Sequence, residues 1–281
     1  MAKVRDGSSA RTLSDLRVRT LSASILGPLV LLVAWLGGPV FGVLMAAGGV
    51  IFLSEWQTIV GAGMRSVSAF VGYFALVVSV LLFFYGLPWV SLAVLLAGVV
   101  ISYFVGGQGK AGLWGSGGVL FSIVATLSLI AARQGDLGRI FIFFLFFTVW
   151  GTDIGAYFAG RRLGGPKLWP RVSPKKTWSG AIGGLIIGAV IGCSLVWAAG
   201  YDRILNWFVL AVVLSVISQA GDLLESSVKR KFGVKDSGTI IPGHGGLMDR
   251  VDGLVAAAIG AAVIGLAMGG PLMDPIAGLG L

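Results

Sequence analysis

Acidic residues are scarce in this chain, and several of them lie next to one polar segment. Asp and Glu together number 12 in 281 residues. Asp222 precedes the segment 225–249, whereas Asp249 and Asp252 lie at its end, at a spacing that puts both side chains on one helix face. If the flanking stretches are adjacent antiparallel helices, all three carboxylates reach the same depth. Carboxylates grouped in a low dielectric repel one another unless a cation or a basic partner compensates them.

Such a group of carboxylate oxygens suits Mg²⁺, which proteins bind through one or two carboxylates together with substrate phosphates. The alternative for Asp249 and Asp252 is that they only cap the N-terminus of a helix, where the helix dipole favours anions. Asp153 is a further acid, placed well inside an apolar stretch. Because an acid there costs about 2.5–3.5 kcal/mol, we favour a functional role over a structural pairing with a nearby arginine.

The segment 226–252 (SSVKRKFGVKDSGTIIPGHGGLMDRVD) combines cations with a glycine-rich turn. Its cations are Lys229, Arg230, Lys231, Lys235 and Arg250. The turn at 242–246 offers backbone N–H groups that can approach a phosphate closely, because glycine has no side chain. His244, the only histidine, could donate a hydrogen bond to a phosphate or carry a proton. The alternative is a surface histidine without a role.

A second basic segment, 160–180, is equally suited to polyanions. Its cations are Arg161, Arg162, Lys167, Arg171, Lys175 and Lys176. Ser173 begins a Ser-Pro turn, and Thr177 can cap the helix that follows. The alternative is a topology signal with attraction to anionic lipid headgroups, worth about 1 kcal/mol per charge. That alternative explains the sign of the charge but not its concentration in two segments.

The elements that must position these residues are membrane-spanning helices. Hydrophobic residues make up 56% of the chain and charged residues 12%, and the mean hydropathy is +0.94. Soluble domains have about 25% charged residues, so a soluble enzyme, a disordered chain and a disulfide-rich module are excluded. The single Cys193 excludes an internal disulfide and a cysteine metal cluster. We predict an all-α polytopic bundle of about nine spans, at 21–37, 39–59, 67–86, 88–105, 113–132, 139–160, 178–199, 205–224 and 250–269.

The distribution of basic residues predicts the orientation of this bundle. With the N-terminus in the cytoplasm, the inner segments hold 18 Lys and Arg and the outer segments hold three. The positive-inside rule therefore places the N-terminus inside and the C-terminus outside. The inner segments are 1–20, 60–66, 106–112, 161–177 and 225–249 with Arg250.

Three regions follow from this layout. We predict a basic cytoplasmic N-terminal segment at 1–20, N-terminal transmembrane helices at 21–137, and a C-terminal catalytic membrane domain at 138–281 with cytoplasmic loops 161–177 and 225–249. Glycines recur every four residues from Gly180 to Gly192 and predict a close-packing helix face, which is also compatible with a homodimer. Glu55 and Trp56, near the end of the second span, are interpreted as interface residues.

The residues of 226–252 resemble the pattern of the phosphatidate cytidylyltransferase (CDP-diacylglycerol synthase) family. The matching residues are Ser226, Lys229, Arg230, Lys235, Asp236, Gly238, Pro242, His244, Gly245, Gly246, Asp249, Arg250 and Asp252. A second stretch, with Asp153, Tyr157, Gly160, Arg161 and the run 173–177, is similar to another conserved part of that family. Ser179 departs from it, since the family commonly has Glu at this position.

The resemblance implies transfer of CMP from CTP to phosphatidate, with Mg²⁺ and release of pyrophosphate, in phospholipid biosynthesis. Asp222 and Asp249 would hold the metal, with Asp252 and Asp153 as further ligands and room for a second cation. The implied catalytic residues are Asp222, Asp249, Lys229, Arg250 and His244. The implied substrate-binding residues are Tyr157, Ser173, Lys175, Lys176, Thr177, Ser226, Arg230, Lys235, Asp236, Gly245 and Gly246. An ionised phosphate is already nucleophilic, so a base role for His244 is optional.

Two alternatives remain open at this point. Carboxylates in helices with a basic vestibule could move a cation or an anionic solute across a membrane. Another CTP-dependent lipid transferase or lipid kinase is the second alternative. The expected partners are CTP, phosphatidate and membrane lipids, with no nucleic acid. The expected location is the bacterial inner (cytoplasmic) membrane, with the active site facing the cytoplasm. The chain has no phosphate-loop, HExxH or GxSxG motif, so an ATPase, a metalloprotease and a serine hydrolase have no support.

Overall fold

The protein is built almost entirely from helices. The computed structural model describes Ser22, residues 24–240 and residues 245–281. An antiparallel hairpin of β1 (Lys167–Trp169) and β2 (Ser173–Thr177) lies between α6 and α7. The helices are α1 (Ser24–Leu36), α2 (Gly38–Ile59), α3 (Val67–Phe84), α4 (Pro88–Val105), α5 (Gly109–Ala132), α6 (Gly138–Leu163), α7 (Trp178–Ala198), α8 (Ile204–Lys231), α9 (Met248–Ala267) and a final 3₁₀ helix (Pro275–Leu279).

The predicted all-α membrane architecture is confirmed. Within the described ranges, the eight helices α2 to α9 are long and apolar enough to cross a membrane, and α1 corresponds to the first predicted span. Helices satisfy their own backbone hydrogen bonds, which a bilayer cannot do for them. The basic segment 1–20 lies outside the described residues. The orientation of the bundle stays a prediction.

Two polar segments are more ordered than the sequence indicates. Helix α8 continues to Lys231, whereas the predicted span ended at 224, so residues 225–231 are helical rather than part of a loop. Its last turn carries Lys229, Arg230 and Lys231, which the negative end of the helix dipole favours. Hydropathy cannot detect such an extension because its residues are polar. The hairpin likewise occupies much of the predicted loop 161–177.

The helices pack into two groups that meet at α5 and α9. Leu53, Leu76 and Ile123 are buried where α2, α3, α4 and α5 pack together. Among α6 to α9, the fully buried ring of Trp207 packs edge-on against Phe144, with 4.7 Å between the centroids. Contacts between α5 and α9 join the two groups. Because α5 is the most buried helix, it forms the centre of the bundle.

Helices α6 and α7 approach each other along the predicted glycine face, which is confirmed. A Cβ atom on Gly184 would lie 2.6 Å from the carbonyl oxygen of Thr152, and one on Gly180 would lie 2.9 Å from that of Ala156. Only glycine permits this approach of two backbones. It fixes the hairpin, which connects the two helices, at one end of the bundle.

Replacing Gly184 by Leu is expected to destabilise the protein by about 1–3 kcal/mol, the usual cost of overpacking, since backbone atoms cannot move aside. Gly117→Leu is the matched control, because nothing lies within 4 Å of its Cβ position on α5. Thermal unfolding of both variants in one detergent would measure the difference. Equal melting temperatures for the two variants would contradict the packing at Gly184.

Candidate active site

Glycines bring α8 and α9 into contact where their acidic residues lie. A Cβ atom on Gly221 would lie 3.0 Å from the carbonyl oxygen of Asp252, and one on Gly253 would lie 3.1 Å from that of Ser218. The absence of side chains lets the two backbones approach closely. The residues next to these glycines, Asp222 and Asp252, are thereby brought together.

Four carboxyl groups form an acidic cluster, defined here as Asp153, Asp222, Glu225 and Asp252. Asp153 on α6 is close enough to interact electrostatically with Asp222 and Asp252, and Asp252 lies beside Glu225. Glu225 is 6% exposed, and its oxygens accept no well-aligned hydrogen bond from the described residues. Like charges this close require cations nearby.

Two lysines compensate part of this charge. Lys176 on β2 forms an ion pair with Asp222. Lys229 is buried, and its Nζ lies 2.9 Å from Glu225 Oε1 and 2.5 Å from Asp249 Oδ1. Glu225 and Lys229 are four residues apart on α8 and therefore share a face. The Lys229 ammonium thus links the acidic cluster to Asp249.

Asp249 is held by the segment that precedes α9. Its Oδ2 accepts hydrogen bonds from Ser237 N at 2.8 Å, Ser237 Oγ at 2.9 Å and Gly246 N at 3.3 Å. Together with the Lys229 contact at Oδ1, these bonds use the roughly four acceptor sites of a carboxylate. The capping alternative therefore describes Asp249 in part, since it accepts an N–H group next to the helix start. Its place among the metal ligands stays a prediction.

The hairpin is tied to both helices that it connects. Thr177 Oγ1 accepts a hydrogen bond from Gly180 N at 3.1 Å, which confirms that Thr177 caps α7. The Ser179 hydroxyl lies 3.0 Å from Thr177 Oγ1 and donates to the carbonyl oxygen of Gly164 at the end of α6. Ser179 therefore closes the base of the hairpin. These contacts hold Lys176 opposite Asp222.

The other predicted residues lie around this centre or outside the described part. Ser226 Oγ lies 3.4 Å from Asp222 Oδ1, Arg230 donates to the carbonyl oxygen of Val234, and Tyr157 OH accepts from Arg161 at 2.7 Å. His244 lies outside the described residues, as does Pro242. At least partly exposed are Ser173, Lys175, Lys235, Asp236, Gly245 and Arg250. The roles of all these residues stay predictions.

The donor set suits Mg²⁺, although no cluster of ligands is preformed. Among the described residues, no group of three or more His, Cys, Asp or Glu is arranged to hold a metal ion. Mg²⁺ needs only one or two carboxylates when substrate phosphates supply further ligands. Asp222 and Asp252 meet that requirement. The acidic cluster and Asp249 comprise five carboxyl groups, and the ion pairs given above set two lysines, Lys176 and Lys229, against them.

Glu55 is a residue of this site that the sequence interpretation missed. Interpreted above as an interface residue, it is 3% exposed and accepts hydrogen bonds from Ser237, Leu247 and Met248. The available signal was an acid within an apolar span, the same signal that singled out Asp153. Its partners lie almost 200 residues away in the sequence, and spacing does not reveal them.

These features define an integral membrane protein with a site of paired acids and lysines at one end of its helices. The chain matches the cytidylyltransferase family over residues 17–267. It is 43% identical over 256 residues to the phosphatidate cytidylyltransferase of Brucella suis, which covers 88% of this chain and 92% of the relative. Relatives of the same name from Haemophilus influenzae and Staphylococcus haemolyticus are 34% identical, over 86% and 84% of this chain and 96% and 94% of their own lengths.

The chain therefore belongs to the cytidylyltransferase family. Its family is one of enzymes that transfer a nucleotidyl group, so the transporter alternative loses its support. The resemblance inferred from residues 226–252 is confirmed, and the match extends well beyond them into the N-terminal helices.

Replacing Lys229 by Met is expected to destabilise the protein by about 3–5 kcal/mol, the usual result of removing one partner from a buried ion pair. Glu225 and Asp249 would then face each other without their shared cation. Adding Glu225→Gln to the same chain should recover part of the loss. Unfolding of the single and double variants in detergent would measure the coupling, and strictly additive losses would contradict the Lys229 contacts.

Proposed function

We propose that this chain is a phosphatidate cytidylyltransferase, which converts CTP and phosphatidate to CDP-diacylglycerol and pyrophosphate. The observation that carries the proposal is the family match over residues 17–267, joined to relatives of that name over 84–88% of the chain. The site agrees with it, since both substrates are phosphate esters whose negative charge requires cations. Acids and lysines at one end of the helices lie where a lipid phosphate at the membrane surface meets a nucleotide from water.

The reaction forms one phosphorus–oxygen bond and breaks another. An oxygen of the phosphatidate phosphate attacks the α-phosphorus of CTP, and the bond to the α–β bridging oxygen breaks, with its electron pair leaving on pyrophosphate. The attack is in line with the leaving group. Because an ionised phosphate is already nucleophilic, the chain needs to orient the two substrates rather than remove a proton. His244 is not required as a base in this scheme.

Exposed cations are best placed to bind the phosphates. The ammonium of Lys229 is paired with Glu225 and Asp249, so it stabilises these carboxylates rather than binding a phosphate. Lys175 on the hairpin, Arg230 in the last turn of α8 and Lys235 after that helix are exposed and can reach a phosphate. Lys176 holds Asp222 and lies between the hairpin and α8. The hairpin and the segment after α8 would thus bind the two substrates from opposite sides.

Magnesium is the cation that this donor set would hold. Asp222 and Asp252 are the proposed ligands, with Asp153 and Asp249 as the further candidates. A cation held there would supply positive charge to offset that of the triphosphate and of pyrophosphate. The chain's own part is to hold these carboxylates in one place, which the glycines of α8 and α9 and the Lys176 ion pair achieve.

The site would face the cytoplasm of a bacterial inner membrane. The 18 basic residues predicted on one side support this orientation, and CTP is available on that side. The hairpin and the segment 232–247 belong to that basic side. Residues at the other end of the helices include Asp202 and Arg203, between α7 and α8.

Cytidylyl transfer is tested directly with radiolabelled CTP and phosphatidate in detergent micelles. We expect label in the lipid phase only with Mg²⁺, with EDTA abolishing it. Asp222→Asn should lower the rate at least about 100-fold, because Asp222 is a proposed ligand of the cation and loss of one preorganised electrostatic contact to a transition state costs about 10²–10³ in kcat. Asp202→Asn, an exposed acid at the other end of α8, is the matched control.

Absence of lipid label from folded unmodified protein would refute the transferase. Phosphorylation of a lipid without CMP transfer would favour the lipid kinase. A near-normal rate for Asp222→Asn would remove this residue from the metal site while leaving the reaction intact.

The orientation is tested by thiol labelling in a chain whose Cys193 is replaced by Ala. Asp202→Cys should react with a membrane-impermeant maleimide in intact spheroplasts. Arg171→Cys, in the hairpin, should react only after the membrane is opened. The reverse pattern would place the site outside the cytoplasm.

A further inference from the structure

Glu55 is a buried acid of the N-terminal helices whose carboxylate accepts three hydrogen bonds from residues in the C-terminal part of the chain. It lies on α2 and is 3% exposed. Its Oε1 accepts a hydrogen bond from Leu247 N at 2.9 Å, and its Oε2 accepts from Met248 N at 2.8 Å and Ser237 Oγ at 3.1 Å. A buried charge is tolerated only with such partners. Their arrangement therefore indicates a specific role.

Helix α9 lacks a cap of its own, and Glu55 supplies it. The first N–H groups of a helix have no partners within the helix. The residue at the N-cap position is Leu247, which has no side-chain acceptor, and it makes no side-chain cap hydrogen bond. The Glu55 carboxylate satisfies two of these N–H groups and places a negative charge at the positive end of the helix dipole.

The segment before α9 is shaped to close around this carboxylate. A Cβ atom on Gly238 would lie 2.9 Å from Glu55 Oε1, and one on Gly246 would lie 2.8 Å from Oε2. A larger residue at either position would push the segment away from α2. Gly246, which the sequence suggested for phosphate binding, and Gly238, which is part of the family pattern, are thus also required by a protein carboxylate.

Ser237 connects Glu55 to the acids of the site. Its one hydroxyl hydrogen is shared between Glu55 Oε2 and Asp249 Oδ2, at oxygen–oxygen distances of 3.1 Å and 2.9 Å, and its backbone N–H donates to Asp249. Asp249 in turn contacts Lys229, which contacts Glu225. A continuous chain of hydrogen bonds and ion pairs therefore runs from α2 through the segment to α8.

A second contact keeps α2 in register with the end of α8. Trp56 Nε1 donates to the carbonyl oxygen of Trp114 on α5 at 2.8 Å. The Trp114 ring packs edge-on against Phe232, and the Lys231 ammonium lies 4.3 Å from its centroid. Helix α2, which carries Glu55, is thus fixed to the start of α9 directly and to the end of α8 through Trp114.

We propose that Glu55 is a positioning residue for cytidylyl transfer: its carboxylate holds Ser237, Leu247 and Met248 against α2 and, through Ser237, sets the position of Asp249 and Lys229. This inference rests on the proposed function for its effect on the rate. It gives the N-terminal helices a direct part in the site. Glu55 itself touches no substrate in this scheme.

Two substitutions separate this role from simple packing. Glu55→Gln keeps the volume but loses the charge and turns an N–H₂ group towards N–H donors, whereas Glu55→Asp keeps the charge but is one methylene shorter. Positioning by the carboxylate predicts that Gln lowers kcat about 10–100-fold, since misplacement by about 1 Å can cost 10²-fold, and that Asp lowers it less. The KM for CTP should change less than kcat in both variants. A packing role predicts the opposite order, with Gln tolerated and Asp impaired.

Hydrogen exchange of the segment gives a measurement independent of activity. In full-length protein in detergent, Glu55→Gln should raise the exchange rate of the amides at 245–249 at least about 10-fold, because their acceptor is weakened, with α6 and α7 unchanged. Thr58→Ala is the matched control, since Thr58 lies one turn further along α2 and its hydroxyl bonds only its own helix, at Ser54.

The outcomes are distinguishable. Unchanged exchange in Glu55→Gln, a kcat close to that of the unmodified protein, or Asp impaired more than Gln would each overturn the positioning role. If the unmodified protein transfers no CMP but Glu55→Gln still raises exchange at 245–249 alone, the proposed function fails while the contact that holds the segment stands. Raised exchange with a selective loss of kcat supports both.

Discussion

Carboxylates placed at the end of an apolar helix bundle must be compensated, and this requirement determines how the site is built. Each described cation at the centre is committed to an acid: Lys176 to Asp222, and Lys229 to both Glu225 and Asp249. Two lysines thus face five carboxyl groups, because Lys229 is shared by two acids and neither lysine pairs with Asp153 or Asp252. The site is therefore suited to a cation that arrives with its substrates, as a magnesium nucleotide does. A cluster whose charge was fully compensated by lysines would attract a bound cation only weakly.

Glycines allow the helices that carry these charges to approach closely. Charges interact usefully only when the backbones carrying them are close, and Gly221 and Gly253 allow that approach next to Asp222 and Asp252. The glycine face of α7 does the same for α6, which carries Asp153 and leads into the hairpin of Lys176. Helix packing in the apolar part and ion pairing at its end therefore depend on each other, since displacing one of these helices would separate the paired charges.

Much of this arrangement could be predicted from the sequence, and the part that could not has a physical reason. Apolar length gave the spans, because a bilayer imposes it, and the i+4 glycines indicated a close-packing face on α7, whose partner α6 only the structure identifies. The polar extension of α8 to Lys231 and the hairpin escaped hydropathy, since their stability comes from the helix dipole and from contacts such as Thr177 with Gly180. Glu55 escaped because its partners are distant in the sequence. Ser179 could only be noted as a departure; the structure shows its hydroxyl joining Thr177 to Gly164.

The N-terminal helices are more than a membrane anchor for the residues that resemble the family. Glycines let backbone N–H groups approach phosphates closely, but they provide no side chain that could hold Asp249 against Lys229. Further contacts come from α2, a helix packed on α5. Glu55 and Trp56 are adjacent on that helix: one contacts the start of α9, and the other reaches the end of α8 through Trp114. The family match, which begins at residue 17, agrees with a site that depends on both halves of the chain.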